Sequence, residues 1–317
     1  MVSILDAREN RSRDRPVPVE SEIMVTHPGL DETARDFRQD IFENRTCRTI
    51  LRAMKQHRSI LDEIVEHKRR ELEERMASCP LAVLQAKVES GSSPRDFLAA
   101  LRRDPGEPVR VLAEIKAASP SRGTIQGEID PAAIAKAYET AGAAALSVLT
   151  DWKYFSGTGA HLIQARAATG LPTLRKDFTI HEYQVWEARA IGADAILLMA
   201  QILEQEEIER FLSLTHQLGM TALVEGHEPE EIDLILRTGA RLIGVNNRDF
   251  RTMKTDIETT IRLREHIPKN RIVVSQSGIS DQSQVKRLAE AGVDAIQVGT
   301  SLMEGGDPGG RLRALRL

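Results

Sequence analysis

From Val109 onward, short apolar runs alternate with polar stretches of helical period. Four of these runs share a lead-in of small residues: Ala141-Gly142-Ala143-Ala144-Ala145-Leu146, Ile191-Gly192-Ala193-Asp194-Ala195-Ile196, Thr238-Gly239-Ala240-Arg241-Leu242-Ile243 and Ala291-Gly292-Val293-Asp294-Ala295-Ile296. Each glycine follows an amphipathic segment and precedes an apolar one. That predicts a left-handed residue closing a helix, with an immediate return to strand. Between these four lie four more apolar runs: Val109–Lys116, Leu171–Asp177, Thr221–Glu225 and Arg271–Ser277. Strands alternating with helices imply a parallel sheet with right-handed crossovers. Eight such units over roughly two hundred residues predict an α/β fold, a closed (β/α)8 TIM barrel. An open doubly wound sheet would show a glycine-rich dinucleotide fingerprint after its first strand, and Val109–Lys116 is not followed by one.

Upstream, Ser59 to about Met76 predicts a helix, with Ser59 as N-cap and Asp62 three residues on. Ile60, Ile64 and Leu72 form its apolar stripe, with Leu61 and Val65 beside it. The remaining face, rich in Glu, Lys and Arg, reads as solvated surface. Pro80 ends the region, Gly91-Ser92-Ser93-Pro94 marks a turn, and Asp96 to Arg103 predicts a short helix. The barrel is thus expected to carry an N-terminal helical extension. The expected division is a polar extension over 1–58, partly disordered or packed on the barrel, and a catalytic domain over 59–317 with leading helices over 59–108.

Composition excludes several classes. The chain has 317 residues, 41% hydrophobic and 28% charged, which suits a soluble globular protein. A net charge of -4 and the lack of a long basic run argue against nucleic acid as a partner. No apolar stretch reaches membrane-spanning length. Cys47 and Cys79 are the only cysteines, too few for a disulfide framework, which suggests a reducing compartment. The arginines at 8, 11, 13 and 15 are not followed by a signal-peptide core, and Asp6, Glu9, Asp14 and Glu20 argue against a transit peptide. A cytoplasmic location is expected, with Met24 and Met54 as alternative starts. The histidines show no metal-ligand spacing, so no metal is expected.

In a barrel of this kind the working groups lie at the C-terminal ends of the strands. Those ends are rich in reactive types. Glu114 and Lys116, two apart on a strand, point to one face. They can exchange a proton and tune each other, or simply form an ion pair at a strand terminus. Later strand ends supply Thr150 and Asp151, then Arg175, Lys176, Asp177 and Phe178, then Glu225, then Asn246, Asn247, Arg248 and Asp249, then Gln276. Four cations and two glutamates are expected to converge on the mouth. The last two loops, Ser277-Gly278-Ile279-Ser280 and Val298-Gly299-Thr300-Ser301, are small and glycine-bearing. Loops in those places can cradle a phosphate through backbone N–H groups. The competing reading is plain tight turns.

These stretches resemble the indole-3-glycerol phosphate synthase family. The likeness rests on Ser59 to Val65 with His67-Lys68, on Glu114-Ile115-Lys116 running into Ser119-Pro120-Ser121 and Gly123, and on Leu146 through Phe155. It continues through Leu174 to Phe178, Leu223 to Glu225, Ile243 to Phe250, Ser277 to Ile279 and Val298 to Met303. The resemblance implies closure of a pyrrole ring on an anthranilate-derived ribulose phosphate, with loss of carbon dioxide and water and without a cofactor. It implies Lys176 as the general acid at the sugar carbonyl, and Glu225 and Glu114 as acid or base in later proton steps. Lys116 would hold substrate and assist proton traffic. Asn246 and Arg248 would position substrate, as would Ser119. Phe155 and Phe178 would wall the aromatic ring. Gln276 and Ser277 would meet substrate, and Gly278, Gly299 and Thr300 its phosphate. The implied partner is a small phosphorylated substrate, and the chain is expected to be a monomer or weak homodimer.

One position departs from the family. Before Ser277-Gly278 the family usually carries Glu, and this chain has Gln276. Glutamine keeps size and hydrogen bonding but drops the charge. Two alternatives stand beside the main reading. Phosphoribosylanthranilate isomerase, another phosphate-binding barrel, would use a Cys and Asp pair at strand ends, and no cysteine lies in the predicted barrel. A non-catalytic relative binding ribose phosphates or a partner protein has Gln276 as its support.

Overall fold

The computed structural model describes residues 59–119, 123–124, 129–304 and 306–316. The expectations for 1–58 lie outside the described residues, as does the side chain of Ser119. Three leading helices come first: α1 (Ile60–Ser78), α2 (Leu81–Glu89) and α3 (Phe97–Leu101). Ser59 caps α1 through a full capping box: its Oγ accepts from the Asp62 N–H at 3.2 Å, and Asp62 Oδ2 accepts from the Ser59 N–H at 2.9 Å. Helix α2 was not expected. Helix α1 ends at Ser78, just before Pro80 as expected, but the chain turns helical again at once, with Pro80 as the N-cap of α2.

Eight parallel strands follow: β1 (Arg110–Ile115), β2 (Ala145–Leu149), β3 (Thr173–Lys176), β4 (Ala195–Met199), β5 (Thr221–Gly226), β6 (Leu242–Asn246), β7 (Ile272–Gln276) and β8 (Ala295–Val298). Each pairs with its chain neighbours, and β1 closes the ring on β8 through Arg110↔Ala295 to Ala113↔Val298. This is the (β/α)8 TIM barrel expected from the sequence. A two-residue antiparallel pair, Ala118–Ser119 with Gly123–Thr124, sits in the loop after β1.

The predicted glycine caps are present. Gly142, Gly192, Gly239 and Gly292 have φ of 88, 89, 79 and 82°. At the first, the Gly142 N–H donates to Glu139 O and the Ala143 N–H to Tyr138 O, the double closure that satisfies a helix's last carbonyls. Gly219, at φ 74°, ends the helix before β5 in the same way, a fifth case masked by its short spacing to Thr221. The repeated aspartate of the small-residue pattern also has a task. Asp194 accepts from the Thr173 N–H and Asp294 from the Val273 N–H, both at 2.8 Å, which ties each strand start to the strand before it.

Strand alternation divides the core in two. Val111, Ala113, Leu146, Val148, Ile196 and Leu198 face outward and pack on the surrounding helices. Leu112, Ala145, Leu174, Leu197, Leu223 and Val274 face inward, joined by Phe97 and Leu101 of α3 and by Leu61 and Ile64 of α1. Burial of these side chains favours the fold by about 1.5–3 kcal/mol for each large one. Inward positions nearer the strand C-termini turn polar: Glu114, Lys176, Glu225, Asn246, Gln276 and Gln297. Among the described residues, no helix is long and apolar enough to cross a membrane.

Candidate active site

The polar inward positions open into a cavity of ≈ 380 Å³ at the C-terminal mouth of the barrel. Every residue to which the family resemblance gave a role lines it, Ser119 apart: Glu114, Lys116, Phe155, Lys176, Phe178, Glu225, Asn246, Arg248, Gln276, Ser277, Gly278, Gly299 and Thr300.

Two ion pairs organise its floor. Lys116, the residue just past β1, has its Nζ 2.7 Å from Glu114 Oε1, as their two-residue spacing predicts. Lys176 Nζ on β3 stands 2.9 Å from Glu225 Oε2 on β5. Glu225 is almost fully buried, and its other oxygen accepts from Asn246 Nδ2 at 2.9 Å. Asn246 Oδ1 in turn accepts from the Arg248 N–H at 3.0 Å. Glu114 is also buried. Burial works against its ionisation, but Lys116 and Lys176, with hydrogen bonds from Lys116 and Gln297, outweigh it and hold the carboxyl below its usual range.

Phe155 and Phe178 lie on one side, ring centroids 6.2 Å apart and tilted by 39°. Their faces offer an apolar wall against which a flat ring can lie. On the other side are the loops after β7 and β8. Gly278 has φ 78°, and Ser277 has φ 70°, a strained value for a residue with a side chain. Gly299 precedes the one-turn helix Thr300–Met303. Glycine at 278 and 299 leaves backbone exposed where a ligand oxygen could approach.

Three expectations need correction. Arg175 does not join the mouth: on β3 it alternates with Lys176 and turns outward, where it meets Asp177 at 3.1 Å and Glu187 at 2.6 Å. Three cations line the cavity among the described residues, Lys116, Lys176 and Arg248, rather than four. Lys68 is not on a solvated face. It continues the Ile60–Ile64–Leu72 stripe of α1, is 1% exposed, and holds Asp151 at 2.7 Å, Asp177 at 3.0 Å and Glu71 at 2.9 Å. Asp177 is consequently held far below its usual range, despite its burial, by Lys68 and Arg175. This buried cluster fastens α1 to the strand ends, and α1 lends Ile60 and Ile64 to the cavity.

Sequence reasoning also missed Gln297, Leu197, Met199 and Phe250 in the lining. Gln297 had a signal: it is the one polar residue in the β8 run Ala295–Val298, at inward parity. Among the described residues, no group of three or more His, Cys, Asp or Glu has metal-holding geometry.

Comparison with known proteins agrees with this geometry. The sequence profile of the indole-3-glycerol phosphate synthase family matches residues 61–315. An indole-3-glycerol phosphate synthase of Acidithiobacillus ferrooxidans is 48% identical over 258 residues, 81% of this chain and 98% of the relative. One of Micrococcus luteus is 45% identical over 261 residues, 81% of this chain and 97% of the relative. Among solved structures, 3-hexulose-6-phosphate synthase of Salmonella typhimurium shares the fold alone, with a TM-score of 0.52 at 13% identity over 65% of this chain and 96% of that one. The profile covers the barrel and its leading helices from residue 61 on, and the relatives cover 81% of the chain, so the chain belongs to the indole-3-glycerol phosphate synthase family.

Proposed function

We propose that this cavity performs the family's reaction through two Lys–Glu pairs with separate tasks. The substrate is 1-(2-carboxyphenylamino)-1-deoxy-D-ribulose 5-phosphate, and the product is indole-3-glycerol phosphate, a carbon–carbon lyase step of tryptophan biosynthesis. The ring carbon bearing the carboxylate attacks the ribulose carbonyl carbon. As that bond forms, negative charge builds on the carbonyl oxygen, and Lys176 Nζ supplies its proton. The carboxylate then leaves as carbon dioxide, its bonding electrons restoring the aromatic ring. The new hydroxyl departs as water, which needs an acid at the oxygen and a base for the proton lost from the ring system.

Glu225, 2.9 Å from Lys176, can return a proton to it, and Glu114 with Lys116 can serve the dehydration. The observation that carries this reading is the sharing of one cavity by both pairs, with the aromatic wall on one side and the two glycine loops on the other. Phe155 and Phe178 hold the anthranilate ring, Asn246 and Arg248 position the ribulose chain, and Gly278, Gly299 and Thr300 take the phosphate. The cationic side chains around an apolar ring slot favour the bound substrate, with its carboxylate and phosphate charges, over solvent.

The direct test is to mix purified protein with the substrate and follow indole fluorescence. Product should accumulate with turnover. Binding of substrate without any product would favour a non-catalytic ribose-phosphate binder instead.

A further inference from the structure

Gln297 is buried in the barrel interior with Gln276 and Glu114. Gln297 on β8 and Gln276 on β7 are register partners, so their side chains meet across the strands. Gln276 Nε2 donates to Gln297 Oε1 at 2.8 Å, and Gln297 Nε2 donates to Glu114 Oε2 at 2.6 Å. Ser147 Oγ lies 3.4 Å from the same Gln297 nitrogen. An ionised carboxylate can only accept, so Glu114 fixes which end of Gln297 faces it, and Gln297 then fixes Gln276. The chain has one direction throughout. Its far end, Gln276 Oε1, is buried and lacks a partner among the described residues.

The neighbouring backbone makes room for this arrangement. A Cβ added at Gly299 would overlap Glu114 Oε1, and one added at Gly244 would overlap Gln276 Oε1. Both glycines stand beside inward-facing positions, so the barrel leaves space at the two ends of the amide chain.

From this geometry we infer that Gln297 is a positioning residue for the reaction: with Gln276 it forms an amide chain that aims and holds the Glu114 carboxylate. The inference rests on the proposed proton-transfer role of Glu114. It also accounts for the departure at position 276. A glutamate there has no N–H to give Gln297 Oε1, and it would set a second carboxylate near Glu114. With Gln297 on β8, the amide at 276 is the matching partner. Besides Gln297, the groups facing Glu114 are Lys116 just past its own strand, Lys176 of β3 with its partner Glu225, and the Tyr138 hydroxyl, which donates to the Glu114 backbone carbonyl at 3.2 Å. The cations favour the charged carboxylate whatever stands at 297, so the contribution of Gln297 is separable from theirs.

The test is the pH dependence of kcat in Gln297→Met, which keeps length and volume but removes both amide groups. Loss of the donor disfavours the carboxylate, so the acidic limb should move to higher pH. At neutral pH kcat should fall about tenfold, with KM changed by less than about threefold. Gln276→Met, one link further out, should move the limb the same way by less; it carries the test alone if Gln297→Met does not fold by near-UV circular dichroism. Glu114→Gln should flatten the limb. An acidic limb that stays put, or moves down, in the glutamine variants overturns the inference even if kcat falls, because that is what a packing role gives. If Glu114→Gln keeps the parent profile, the role of Glu114 fails and the inference fails with it; a flattened limb in Glu114→Gln beside an unmoved one in Gln297→Met sinks the inference alone.

Discussion

Asn246 Nδ2 donates to Glu225 Oε1 at 2.9 Å, and so holds by one oxygen the carboxylate whose other oxygen meets Lys176. The two contacts fix Glu225 in plane, a geometry one ion pair alone would leave free to turn. Asn246→Ala should therefore lower kcat by about tenfold, since a buried acceptor loses a donor worth about 1–3 kcal/mol. Glu225→Gln should cost more, about a hundredfold, as it removes both the charge and the proton store. Steady-state kinetics on the two variants check the order; an Asn246→Ala enzyme slower than Glu225→Gln would contradict it.

Acid should unfold the protein in a definite direction. Glu114 and Asp177 are both held below their ordinary values of 4.5 and 3.8 in the folded chain. A carboxyl depressed by folding adds stability that is present above its unfolded value and lost as pH falls toward the folded one. Urea midpoints should thus decline below about pH 4.5, and Asp177→Asn should flatten that decline. Midpoints that rise on acidification would reverse the sign and reject the assignment.

Lys68 is the cation between Asp151 and Asp177, so its removal leaves buried Asp151 without its cation and buried Asp177 with Arg175 alone. Lys68→Met should destabilise the fold by about 3–5 kcal/mol, a large drop in melting temperature. Because Ile60 and Ile64 reach the cavity from the same helix, KM should also rise in any Lys68→Met protein that still folds. Calorimetry and kinetics on one preparation test both; an unchanged melting temperature would mean the cluster is not holding α1.

The glycine loops make separable claims. Gly278→Ala meets a positive φ of 78° and the Thr255 methyl group, whereas Gly299→Ala meets Glu114 Oε1. The first should weaken competitive inhibition by inorganic phosphate by about tenfold or more while sparing the pH profile. The second should disturb both. Equal phosphate inhibition in Gly278→Ala and the parent would remove that loop from the phosphate site.

Much of this was legible in the chain, for stated reasons. Short apolar runs, four of them led in by a glycine and small residues, located all eight strands, because each strand is short, apolar and bounded by a left-handed glycine or a polar turn. The two-residue spacing at the end of β1 was enough to pair Glu114 with Lys116. The same parity rule, left unused on β3, would have sent Arg175 outward. Lys68 was missed because a lone lysine on an apolar stripe looks like a solvated residue until Asp151 and Asp177 are brought beneath it. Those acids lie some eighty or more residues downstream, so the ion cluster exists only after the barrel closes. The Gln276–Gln297 contact is hidden similarly: the two residues become neighbours only through the register of β7 on β8.

Ring closure depends on Lys176 as the proton donor to the ribulose carbonyl, and the rate of Lys176→Ala tests that role most directly. Single-turnover formation of the fluorescent product should slow by about 10²–10⁴-fold in a protein that still folds and binds substrate. A Lys176→Ala protein that closes the ring at the parent rate would contradict it.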